Sequence, residues 1–184
     1  MNFKEILNQH SSRKLVDDTI ILIGNNRNCF NTVLELSFSE PYPVCMRASW
    51  VIMHYCNKNP DYIQPHLDYI LKQILLSKID GVKRNYIKVF AEYAILEKIE
   101  NLGLLIDLCF KLFNNPAEAI AIRAFCLDVL IKIAKNEPEL IPEIKESITF
   151  QTEHFSAGLK NKAYKVLQKI EKQSIKSNKK INLY

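Results

Sequence analysis

Apolar residues recur at helical spacing along almost the whole chain, and proline, glycine and asparagine interrupt the pattern at intervals. Phe3, Ile6 and Leu7 predict a short first helix. Ser11-Ser12 offers an N-cap for a second, whose inward side is Leu15, Val16, Ile20 and Ile23 and whose stop is Gly24-Asn25-Asn26. Phe30, Val33, Leu34 and Phe38 define a third. Pro41 and Pro43 end it, because proline lacks an amide hydrogen and disfavours helical backbone before it. Residues 44–58 form its partner, with Ala48, Val51, Ile52 and Tyr55 inward and Trp50 near the edge. Leu67, Ile70, Leu71, Ile74 and Leu75 predict the next helix, opened by Pro65 in a first turn where the missing amide is harmless. Residues 82–99 carry Tyr86, Val89, Phe90 and Tyr93, with Ile87, Ala91 and Ala94 alongside, so this helix is expected to be covered on two sides. Leu105, Leu108, Cys109 and Leu112 mark the following one. The remaining inward sets are Ile122, Cys126, Val129, Leu130 and Ile133; Ile141, Ile144 and Ile148; and Leu159, Ala163, Val166, Leu167 and Ile170.

The pattern also repeats itself at long range. Arg47-Ala48 returns as Arg123-Ala124, each followed by an apolar run, a break closed by proline (Pro60, Pro138) and a second proline opening the next helix (Pro65, Pro142). The offsets are 76, 78 and 77 residues, or two periods of about 38, which lies in the range of stacked helical repeats. In such a stack each unit leaves an apolar face that only its neighbour covers. The expected fold is all-α, a right-handed α-α superhelix of about four helical hairpins at 27–58, 62–99, 101–135 and 139–175. A capping helix pair in 1–26 precedes them and a basic tail, 176–184, follows, all within a single domain, 1–184.

Composition narrows the function classes. Hydrophobic content of 48% with four glycines suits one helical core. No apolar run approaches the length of a membrane span and none has signal-peptide form, so a cytoplasmic protein without a membrane partner is expected. The five cysteines are odd in number, lie among apolar neighbours and form no C-x-x-C pair, which fits small buried hydrophobes in a reducing compartment. His10, His54, His66 and His154 are scattered, and His54 and Cys56 point about 200° apart on a helix, too far to share a metal. No phosphate-binding loop, dinucleotide fingerprint, zinc-protease motif or nucleophile elbow occurs. Neither a catalytic residue, a cofactor, a metal nor a small-molecule substrate is therefore expected.

The formal net charge of +5 is unevenly spread. From Lys160 onward eight lysines face Glu171 as the single acid, so the rest of the chain is slightly acidic. Lys162, Lys165, Lys169, Lys172 and Lys176 step by three or four residues and so share one helix face. Farther back, Arg47, Arg84, Arg123 and Lys160 recur near the repeat period. They can serve as a ladder to turn carboxylates and helix-end carbonyls, or as a track for anions.

An apolar residue, a basic one, and then small or apolar residues three, six, seven and ten positions later occur at Ile122-Arg123, Leu159-Lys160 and Val82-Lys83. At Val44 the basic place is taken by Cys45, and Arg47 comes two residues late. This pattern resembles the HEAT repeat over roughly residues 27–172. The resemblance implies turn carboxylates before the basic positions, for which Asp80, Glu40 and the neutral Asn115 are available. It also implies a scaffold that holds a partner along the surface of the second helices. The leading expectation is a non-enzymatic α-solenoid binding a protein through Arg47, Arg84, Arg123, Lys160 and Trp50. The alternative is nucleic-acid binding through the C-terminal lysines, in a protein resembling the DNA alkylation-repair glycosylases, with Trp50 stacking on a base and Asp128 steadying a sugar cation.

Overall fold

The polar breaks become helix ends, and the first three helices open on side-chain caps that replace missing intrahelical partners. In a computed structural model, which describes residues 1–181 and their side chains through Glu171, the helices are α1 (Phe3–Asn8), α2 (Arg13–Ile23), α3 (Arg27–Ser39), α4 (Val44–Cys56), α5 (Leu67–Leu76), α6 (Asp80–Glu92), α7 (Leu102–Asn114), α8 (Ile120–Ile133), α9 (Ile141–Gln151) and α10 (Ala157–Ile181). No strand occurs among the described residues. Ser12 caps α2 by accepting from the Leu15 amide at 3.0 Å, and Asn26 caps α3 by accepting from Asn28 and Cys29 at 2.9 and 3.2 Å. Between them Gly24 has φ +51°, a left-handed conformation that suits glycine. The chain groups into two compact units, 1–105 and 106 onward, and the boundary falls within α7.

In the first unit α4 is the central element, packing against α1, α2, α3 and α6. Ala48, Val51, Ile52 and Tyr55 are all buried, as their spacing predicts, and Val44 is buried with them. The Tyr55 ring lies 5.3 Å from Phe30 and 5.2 Å from Tyr62, and its hydroxyl donates to the Gly24 carbonyl at 2.7 Å. Polar groups inside this unit are paired across helices. Asn85 on α6 donates to Ser49 on α4 at 2.9 Å, and the buried Tyr86 hydroxyl meets Ser37 on α3. Burial pushes the Tyr86 hydroxyl well above its ordinary pKa, so it stays a neutral hydrogen-bonding group.

Two predicted details differ. Leu75 lies outside, 41% exposed, because Leu71 and Ile74 already fill the inward face of α5. Helix α6 stops at Glu92 instead of reaching residue 99. The reason is Gln64, buried and 29 residues away from Tyr93, whose amide donates to the carbonyls of Pro60 (2.6 Å) and Tyr93 (3.1 Å) and accepts from the Ile95 amide (2.8 Å). This side chain takes over the hydrogen bonds that a continuing helix would have made.

In the second unit Ile122, Cys126, Val129, Leu130 and Ile133 of α8 are buried with Ile144 and Ile148 of α9 and Leu159, Ala163, Val166 and Ile170 of α10. The cysteines at 45, 56, 109 and 126 are buried and all five are free thiols. Replacing Gln64 by alanine should lower unfolding stability by about 1–3 kcal/mol, since two part-buried carbonyls and an amide lose their partner at once. Urea unfolding monitored by circular dichroism measures it.

Candidate functional site

Helices α2, α4 and α6 lie side by side in the first unit, and their outward residues form one surface. On α2, Arg13 holds Asp17 one turn later through Nε, 3.0 Å from either carboxylate oxygen. The Arg13 guanidinium also reaches α4 and donates to the His54 ring, Nη1 to Nε2 at 3.2 Å, a bond that requires neutral imidazole. Trp50, one turn before His54, is half-buried, with its ring 5.9 Å from the imidazole. On α6, Lys88 pairs with Glu92 at 3.8 Å, and the exposed Arg84 stands one turn before Lys88. Arg13 holds the Asp17 carboxyl below its ordinary pKa by its hydrogen bond. Burial first, then the charges of Arg13 and Lys88, push His54 below its ordinary value.

The periodic basic residues part company. Arg84 and Lys160 are exposed. Arg47 is half-buried and donates through Nη1 to the Leu7 carbonyl at the end of α1, 2.8 Å away. Arg123 is buried, so it is not an outward position. Its Nε donates to the Phe113 carbonyl at the end of α7 (2.8 Å), its Nη2 to Gln151 (2.7 Å), and its guanidinium lies over the edge-to-face pair of Phe113 and Phe155, 5.8 and 5.2 Å from the ring centroids. Burial lowers its pKa from the usual arginine value. Gln151 in turn donates to Asn114 at 2.6 Å. Both arginines thus serve helix ends. Of the turn carboxylates, Asp80 pairs with Lys83 at 3.1 Å and Glu40 with Lys4 at 3.0 Å, while Asn115 accepts from the Ala117 amide at 3.0 Å.

In the second unit Asp128 of α8 pairs with Lys162 of α10. Lys165 and Lys169 follow on α10 as exposed residues. The side chains of Lys172 and Lys176, and residues 182–184 of the basic tail, lie outside what the structure describes. Among the described residues no group of histidine, cysteine and acidic side chains could hold a metal ion, and no helix is long and apolar enough to cross a membrane. Spacing in the sequence points to Trp50 and His54 as neighbours, but the link from Arg13 to His54 spans 41 residues and has no local signature.

A family model described as HEAT repeat domain matches residues 3–170. The chain belongs to the HEAT repeat family. No curated protein and no solved structure matches it. The match begins at α1 and ends within α10. This is a helical repeat protein, and in this HEAT chain the surface of α2, α4 and α6 combines an aromatic ring with charges of both signs.

The depressed pKa of His54 sets a pH dependence. Folding excludes a proton from this ring, so its contribution is fully present above the ordinary value of 6.5 and lost as the pH falls below it. His66 behaves alike, lowered by burial and by Arg27. The urea midpoint should therefore drop on going from about pH 7.5 to 5.5, and drop less in His54→Gln.

Proposed function

We propose that this HEAT repeat protein is a non-enzymatic scaffold that holds a protein partner on the face of α2, α4 and α6. One observation carries this reading: a half-buried Trp50 against His54, flanked by the Arg13–Asp17 pair on one side and the Lys88–Glu92 pair on the other. Tryptophan and arginine supply much of the binding energy at protein interfaces, provided surrounding polar contacts exclude water. The flanking ion pairs are exposed enough to re-form with a partner at little cost, because pairs at the surface are worth at most about 1 kcal/mol. The side chains are also pre-positioned. Arg13 is fixed by Asp17 and His54, so less conformational entropy is lost on binding.

The charges suit a partner of mixed sign, which would place acidic groups against Arg13 and Arg84 and a basic group against Glu92. A cytoplasmic setting agrees with the free cysteines, four of them buried. The glycosylase reading gains nothing from Asp128, whose carboxylate is engaged by Lys162. With a partner recovered by affinity capture and purified, Trp50→Ala should weaken the complex by on the order of tenfold or more, and Arg84→Glu by a smaller factor. Isothermal titration calorimetry reads both. Unchanged affinity in both variants would remove this face from consideration.

A further inference from the structure

The second unit carries a basic groove apart from the face just described. Lys162, Lys165, Val166 and Lys169 line it from α10, Asp128 and Ile131 from α8, around a space of about 260 Å³. Ile131 and Val166 make its apolar part, and the lysines supply its charge. Lys162 is tied to Asp128, whereas no carboxylate pairs with Lys165 or Lys169 among the described residues. Low-dielectric walls beside unneutralised cations strengthen the field in such a groove and draw anions to it.

The form of the charge decides which anion. The three lysines succeed one another along a single helix at steps of three and four residues, a rise of about 4.5–6 Å per step. One nucleic-acid strand carries a charge about every 3.4 Å of axis, so the row can neutralise a strand with roughly one lysine for each one or two phosphates. A basic stripe along one helix is the electrostatic footprint of that backbone. Among the described residues Gln168 is the one amide beside the lysines and no aromatic residue lines the groove, so these residues neither read nor stack bases.

We propose that the α8–α10 groove binds the phosphate backbone of a nucleic-acid strand without regard to sequence, with Lys165 and Lys169 as its principal contacts. Asp128 competes with phosphate for Lys162 and thereby limits the affinity. Neutralising Asp128 releases a third contact.

The test is fluorescence anisotropy of the full chain with a labelled oligothymidylate of about 20 nucleotides between roughly 50 and 200 mM salt. The doubly charge-reversed K165E/K169E should bind on the order of tenfold more weakly, with a salt slope shallower by about 1.4, twice the value of about 0.7 for each contact on a single strand. Asp128→Asn should bind more tightly and with a slope steeper by about 0.7. Arg84→Glu, in the other unit, should bind like the parent protein. Circular dichroism confirms that each variant is folded. Absence of binding by the parent chain, indifference to K165E/K169E, or displacement of the oligonucleotide by polyglutamate at equal charge concentration would overturn the proposal.

Discussion

A helix that ends against its neighbour leaves its last carbonyls without an amide from its own chain segment, and in a packed repeat water is not there to replace it. Long polar side chains meet that need throughout this protein. Arg47 reaches the end of α1, Tyr55 the end of α2, Gln64 the end of α6, and Arg123 the end of α7. Each of these donors comes from another element, so satisfying a helix end also fixes how two elements meet. The apolar faces supply the drive to stack, and these hydrogen bonds tie the ends of α1, α2, α6 and α7 to their neighbours.

This constraint explains why a residue type that recurs with the repeat period need not serve one purpose. Arg47 and Arg123 begin equivalent segments and both turn to carbonyls, and Arg123 also lies against two phenyl rings. Their role in the stack removes them from any track for anions. The outer side of α2, α4 and α6 carries Trp50, His54, Arg13, Arg84 and Lys88 instead. The same helices therefore hold the fold together on one side and offer chemistry on the other, as the HEAT architecture allows.

Much of the fold is legible from the sequence because helical periodicity and proline breaks are local signals. The inward sets of α4 and α8 are buried as their spacing requires, and Ser12 and Gly24 close their helices as their residue types suggest. The end of α6 is not legible, since the side chain that stops it lies 29 residues earlier than the carbonyl it takes. The direction of an arginine is equally hidden, because a cation that caps a carbonyl and one that faces solvent look alike in one dimension. Leu75 shows the same limit for apolar residues, where a helix with a full inward face leaves one more leucine outside. The lysine row of α10 could be read in advance, but not its pairing through Lys162 with Asp128, which joins two helices.

The most direct measurement compares the unfolding free energies of Arg123→Met and Arg84→Met in urea. Methionine keeps much of the side-chain volume and removes only the guanidinium. If the periodic arginines act as captors of helix-end carbonyls, Arg123→Met should cost about 1–3 kcal/mol by leaving the Phe113 carbonyl and the Gln151 side-chain oxygen without their donor. Arg84→Met should change stability by no more than about 0.5 kcal/mol. Equal losses in the two variants would contradict the division between inward and outward arginines.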